Sequence, residues 1–256
     1  MNRAVNLEEK KAPGQHLEGV EENWIEQCEN RFFSKIFTGL NQERTKAIRE
    51  LATPVKYREG DLIFQEGDLA DGIYFICSGL AVYGKQWNSD SERKRVFRLL
   101  GSGDVLGQET LFEKNPGSRF GYARAVENTE LLFLEKTNTL DLLEDQPRLF
   151  RDFCRDMSEQ IQVLEKKLLR EGFLTTDRCL ADLLTKIVAK QGDGEDRRSS
   201  KGCVGLRRKT LAEILGVSKG SITKSLNKLE RKGLVSLQGE KICVTSGEGL
   251  IEFVDN

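Results

Sequence analysis

The sequence predicts an α+β protein made of an antiparallel β-roll, a long amphipathic helix and a C-terminal winged helix-turn-helix. Three observations carry that prediction. From Thr53 to Leu134 the apolar residues follow a period of two, and glycines cut them into short runs. After Pro147 the period becomes helical, with Phe150, Cys154, Met157, Ile161, Leu164 and Leu168 spaced 4, 3, 4, 3 and 4 apart. Near the end, LAEILGVSKGSITKSLNKLERKGL joins two short helical patterns through Gly216.

Taken along the chain, residues 1–23 are charged, carry Gly and Pro without a period, and read as a flexible leader. Residues 24–146 read as the β-roll domain. Trp24 to Leu51 opens it with two short helical patterns, and "VKYREGDLIFQEGDLADGIYFICSGLAVYGKQ" and "KRVFRLLGSGDVLGQETLF" follow as strands closed by Gly or Asp-Gly. The interior of such a roll has room for a small ligand. Residues 147–172 form an a/d seam of nearly three heptads, which a second copy of the chain would cover.

Residues 173–256 form the last unit. "TTDRCLADLLTKIVAKQ" is an amphipathic helix with Thr or Asp as its cap, "GDGEDRRSSKG" is a loop or the turn of a wing, and "GLVSLQGEKICVTS" alternates like a β-hairpin around Gln238-Gly239. Within the helix-turn-helix, Leu211, Ala212, Ile214 and Leu215 give the first helix an apolar face. Ser218 is placed to cap the second helix, whose buried stripe is Ile222, Leu226 and Leu229. The exposed face then presents Lys219, Ser221, Thr223, Lys224 and Lys228.

The chain of 256 residues has a formal net charge of -1. Arg207 to Lys241 nevertheless holds nine Lys or Arg, Lys209 among them, against three Glu, a local +6. A basic module on an acidic body concentrates phosphate affinity in one place. A helix of this kind fits the major groove, where Lys donates to guanine and hydroxyls reach bases or phosphates.

No run of 18 apolar residues occurs and the N-terminus lacks the apolar core of a signal peptide, so the expected compartment is the cytoplasm, without membrane contact. The six Cys are dispersed, the closest two being 24 positions apart, and read as buried structural thiols. An enzyme is not expected. "GSGDVLG" departs from the dinucleotide fingerprint, and a Ser-His-Asp or Cys-His site lacks a usable His, His16 being the only one.

The stretches "REGDLIFQEGDLADGIYFICSGLAVY", "GSGDVLGQETLF" and "TLAEILGVSKGSITKSLNKLERKGLV" resemble the CRP/FNR superfamily of bacterial transcription regulators, over roughly Phe32 to Thr245. The resemblance implies a cyclic-nucleotide-binding-like roll that senses an effector, a dimerisation helix, and a winged helix-turn-helix that binds double-stranded DNA at a palindromic operator, with RNA polymerase as a further partner. The family's base-reading positions fall on Lys219, Gly220, Thr223 and Lys224. Gly220 stands where many relatives carry a Glu that accepts from cytosine.

The family's effector positions fall on Gly107, Gln108, Glu109, Ser118, Arg119 and Phe120, with Leu164 and Glu165 on the dimer helix. Gln108 lacks the carboxylate that a cyclic nucleotide's ribose meets, and Phe120 puts bulk where a phosphate donor belongs. Cyclic AMP is therefore disfavoured, and the small effector stays unidentified. The Cys cluster of iron-sulfur members is absent, and ligation of haem by a roll His is excluded. Thiol sensing by Cys28, Cys77 or Cys154 is an open reading. The competing function is a regulatory module acting through protein contacts without DNA.

Overall fold

A computed structural model describes residues 15–16, 48, 50–86, 94–113, 117–191 and 201–255. The roll is built from β1 (Gln15–His16), β2 (Ala52–Tyr57), β3 (Leu62–Phe64), β4 (Gly72–Ser78), β5 (Ala81–Gln86), β6 (Lys94–Leu100), β7 (Val105–Leu106), β8 (Tyr122–Ala125) and β9 (Thr129–Glu135). They form two antiparallel sheets, in the orders β1-β2-β9-β4-β7 and β3-β8-β5-β6. β1 lies inside the segment expected to be a flexible leader. Gln15 and His16 pair with Lys56 and Val55, which makes this piece an edge strand. The rest of the leader and most of the 24–51 helical patterns lie outside the described residues.

Strand periodicity sorts each sheet's side chains into separate cores. On β4, Tyr74 and Ile76 point between the two sheets with Val55, Ile63, Phe64, Tyr83 and Leu131. Ile73, Phe75 and Cys77 point the other way, against α1 (Lys136–Asp145) and α2 (Pro147–Phe173) through Leu142, Leu143, Leu149 and Phe153. Both faces being covered, GIYFICS is apolar almost without a break. Each fully buried Ile, Leu or Phe contributes roughly 1.5–3 kcal/mol of transfer free energy. α1 was not foreseen from the sequence. It is short, and its only buried residues are Thr139, Leu142 and Leu143.

α2 starts at Pro147, whose fixed φ suits a first helical position, and its 27 residues extend about 40 Å. After it come α3 (Thr176–Gln191), β10 (Gly202–Val204), α4 (Arg208–Leu215), α5 (Lys219–Arg231), β11 (Val235–Gln238), β12 (Lys241–Val244) and α6 (Gly247–Asp255). The wing is a three-stranded sheet in the order β10-β12-β11, and Gly239 and Glu240 turn β11 into β12. α6, also unforeseen, seals the unit by burying Leu250 and Val254.

A third core unites the outer face of the second sheet with the C-terminal unit. Leu80, Val82, Val96 and Tyr122 belong to the same apolar cluster as Leu184, Leu211, Ile222 and Leu226. The thiols differ from expectation. Cys203 and Cys243 are joined in a disulfide, Cys77 is disulfide-bonded as well, and Cys154 is free and exposed. Spacing along the chain carried no sign of the Cys203–Cys243 bond, because the strand ladder brings together positions 40 apart.

Candidate nucleic-acid interface and effector pocket

Gly216 ends α4 at φ 67, a left-handed conformation, and its N–H bonds back into the last turn of the helix. The chain then reverses into α5, where Ser218 caps the helix by accepting from the Ser221 N–H at 3.0 Å. Ile222, Leu226 and Leu229 are fully buried beneath α5. The opposite face therefore has to look outward, and Lys219, Gly220 and Lys224 are exposed on it. Thr223 is half-buried and donates to the Lys219 carbonyl, while Ser221 faces the Ser218 hydroxyl at 2.9 Å. A Cβ built on Gly220 meets only the Ser218 Oγ, at 3.7 Å, so the backbone there is bare by choice of residue and not by crowding. Lys209 is exposed in the first turn of α4.

Lys228 is exposed as well. Its ammonium pairs with Asp177 on α3, whose other oxygen accepts from Ser225 at 2.6 Å. Burial works to raise the Asp177 pKa, but the Lys228 ammonium and the Ser225 hydroxyl outweigh it and hold the carboxyl below its ordinary value. Lys228 thus braces α5 on α3.

The expected effector residues divide by side. Ser118, Arg119 and Phe120 alternate as an extended chain does, so Arg119 points in while Ser118 and Phe120 point out. Phe120 is 56% exposed. It is stacked on Phe97 and covered by the Lys85 ammonium at 3.8 Å.

Arg119 is 1% exposed, and both of its terminal nitrogens are bonded within the chain. Nη2 donates to the Gly72 carbonyl at 2.7 Å and to Asp71 at 3.2 Å, and Nη1 donates to the Gly107 carbonyl and the Thr110 hydroxyl. Its guanidinium stands over the Phe64 ring. Gly107 makes room for it. At φ 89, a Cβ there would sit 2.3 Å from Nη1. Of the Arg119 donors only the buried Nε lacks a partner.

Gln108 and Glu109 face a cluster that the sequence did not disclose. Gln108 Nε2 donates to Asp156 on α2 at 3.2 Å, and Gln160 Nε2 donates to the same carboxylate oxygen at 2.5 Å. Arg98 on β6 donates to Gln160 and pairs with Glu109 at 3.5 Å, its guanidinium over the Tyr83 ring. Burial, then the neighbouring Glu109 carboxylate, push the Tyr83 phenol far above its ordinary pKa. The buried Gln108 Oε1 has no partner. The α2 residues that reach this cluster are Asp156 and Gln160; Leu164 and Glu165 do not take part in these bonds. Glu165 is turned roughly 140° around the helix from Gln160 and is exposed, and Leu164 is half-buried on the seam.

Arg98, Asp156 and Gln160 also line a cavity of about 340 Å³ between β6, α2, α3 and α4, with Leu183 and Ile214 among its apolar walls. Beside it, Glu213 on α4 accepts from the Tyr122 hydroxyl at 3.1 Å and from Arg124 at 2.7 Å, which ties the helix-turn-helix to β8. Burial and that carboxylate raise the Tyr122 pKa well above the usual phenol range.

A family model described as "Cyclic nucleotide-binding domain" matches residues 54–146, and another described as "Crp-like helix-turn-helix domain" matches residues 179–253. The CRP-like cAMP-activated global transcriptional regulator of Mycobacterium tuberculosis is 21% identical over 215 residues, 84% of this chain and 94% of that protein. The Cyclic AMP receptor protein of Thermus thermophilus is 27% identical over 204 residues, covering 80% and 89% of the two chains. FixK2 from Bradyrhizobium japonicum has the same fold, with a TM-score of 0.66 at 20% identity over 78% of this chain and 96% of that one. With both units matched in the order in which the fold presents them, the chain belongs to the CRP/FNR superfamily and is a DNA-binding transcription regulator.

Proposed function

We propose that the protein works as a homodimer whose paired α2 helices present two copies of α5 to a roughly palindromic operator, under the control of a small effector. Residues 24–146 act as the sensing unit, 147–172 as the dimerisation helix and 173–256 as the DNA-binding unit. Lys219, Gly220, Thr223 and Lys224 face the base edges, and Lys209, Ser218 and Ser221 lie toward the phosphates. The observation that carries this reading is the exposed cationic face of α5, held out by a fully buried stripe beneath it.

The dimer rests on the seam. Phe150, Cys154, Ile161 and Leu168 are exposed in the single chain, Ile161 at 57% and Leu168 at 71%. Such a row asks for a second helix. Pairing about a two-fold axis would set the α5 helices about 34 Å apart, one turn of duplex.

The effector is placed at the contact of the roll with α2. A ligand that takes over the Gln108–Asp156 or Arg98–Gln160 bonds changes what holds α2, and so biases the arrangement of the DNA-binding units. A ligand offering hydroxyl or amide donors to Gln108 suits the site better than a cyclic phosphate, because Arg119 is already committed to internal acceptors. Among the described residues no helix is long and apolar enough to cross a membrane. We place the protein's work in the cytoplasm, beside RNA polymerase.

Titration of palindromic promoter duplexes against the purified protein tests this. Affinity should fall by about a thousandfold as salt rises fourfold, sedimentation should give a dimer, and cyclic AMP should leave the melting temperature unchanged. A monomer that ignores duplex DNA at low salt would overturn the reading in favour of a module acting through protein contacts.

A further inference from the structure

β10 is only three residues long, at the edge of the wing, and its centre is Cys203. Cys203 stands in register with Cys243 across the antiparallel ladder, their Cα atoms 3.9 Å apart and their sulfurs bonded. One partner is exposed and the other is 7% exposed, so a small thiol reagent reaches the bond from one side. From β10 the chain passes through Gly205, Leu206 and Arg207 straight into α4, with Leu206 buried. Whatever holds β10 therefore sets where α4 begins, and with it the position of the Lys209 charge. Three register pairs alone hold a strand of this length weakly, and edge strands of few contacts open locally.

We propose that Cys203 and Cys243 form a redox-modification site, a dithiol–disulfide pair that fixes β10 to the wing when oxidised and frees it when reduced. A regulator working beside the chromosome meets thiol buffers that keep most cysteines reduced, where a disulfide is a sensing device more often than a staple. The exchange balances with a disulfide oxidant of the glutathione class. A thiolate of the pair attacks the oxidant's S–S bond to give a mixed disulfide, and the second thiolate displaces the bound thiol. The pair loses two electrons and two protons, and the oxidant becomes two thiols. In the oxidised form the cations at the start of α4 are held ready, and operator binding is tighter for want of an ordering cost. That last consequence rests on the DNA-binding reading above; the modification itself does not.

The test equilibrates the full chain in reduced and oxidised glutathione mixtures, then maps thiols by differential alkylation and mass spectrometry and follows hydrogen exchange in the wing. Cys203 and Cys243 should convert together with the glutathione ratio, and amides 202–204 should exchange at least about tenfold faster in the reduced protein. The Cys203→Ser, Cys243→Ser double variant should exchange fast at every ratio. Operator affinity should drop at least about threefold on reduction of the wild type and be indifferent to redox state in the double variant. Two permanently alkylatable thiols, or wing exchange that ignores redox state, would overturn the proposal, and equal, measurable operator affinity in both forms would overturn its consequence for DNA binding. Wing exchange that switches while neither form binds DNA would keep the modification site and remove the DNA-binding reading.

Discussion

Lys224 and Lys228 lie one helical turn apart on α5 and both are exposed, but the Lys228 ammonium is paired with Asp177. A helical wheel places both on the same cationic face, which is why the sequence groups them. The acid that claims Lys228 lies 51 positions earlier, and no local pattern points to it. The two residues should therefore respond differently. Lys224→Ala should weaken specific operator binding by at least about 1 kcal/mol in an equilibrium titration, leaving thermal stability unchanged; an unaltered affinity and sequence preference would take Lys224 off the reading surface. For the Lys228 pair the informative change is Asp177→Asn, which removes the charge and keeps an acceptor for Ser225. A carboxyl whose folded pKa lies below its unfolded value stabilises the fold above the unfolded pKa, near 3.8, and ceases to do so as pH falls through the folded one. Urea denaturation should find Asp177→Asn less stable than wild type at neutral pH, with the gap closing as the pH is taken below 4. A gap that does not vary with pH would mean that the carboxylate's charge contributes nothing.

At the scale of the element, what could be read in advance depended on length. α5 and α2 are long enough for several repeats of the 3.6-residue pattern, and the roll strands alternate cleanly because each has two distinct faces. α1 and α6 have ten and nine residues and bury about one turn's worth of side chains each, too little for periodicity to register. β1 has two residues and owes its existence to the edge of β2. The seam on α2 was legible. Leu168 is among the most exposed apolar residues of the single chain, in the second half of α2. Leu168→Glu puts a charge into any paired seam while costing the isolated chain nothing in packing, so sedimentation should show the dimer weakened and circular dichroism should show the fold retained. If the proposed dimer binds through two half-sites, DNA affinity should fall with it. A fully dimeric Leu168→Glu variant would place the dimer interface elsewhere than on this seam.

For the whole molecule, the decisive feature is that the roll and the helix-turn-helix unit share one apolar core. The outer face of the β3-β8-β5-β6 sheet contributes Leu80, Val82, Val96 and Tyr122, and α3 through α5 contribute the facing residues. None of this was legible in the sequence, since the apolar positions of β5 and β6 look the same whether they face a helix or water. At the edge of that core, Glu213 meets Arg124 and Tyr122, with the Arg124 and Glu213 side chains 17% and 20% exposed. The turn after α4 lies close by, Arg95 Nη1 standing 3.1 Å from where a Cβ on Gly216 would be. A partly buried, charge-assisted contact of this sort contributes more than a surface pair, and its worth is read by a double-mutant cycle. Arg124→Ala, Glu213→Ala and the double variant should give a coupling energy of about 1 kcal/mol in urea denaturation. The shared core should make the wild type unfold in one transition by both near-ultraviolet circular dichroism and Trp-independent far-ultraviolet signals, and the double variant should begin to separate the two. Strict additivity of the single substitutions would show that Glu213 and Arg124 are mere neighbours, and that any signal from the roll to the DNA-binding unit passes through the apolar core and α2 instead.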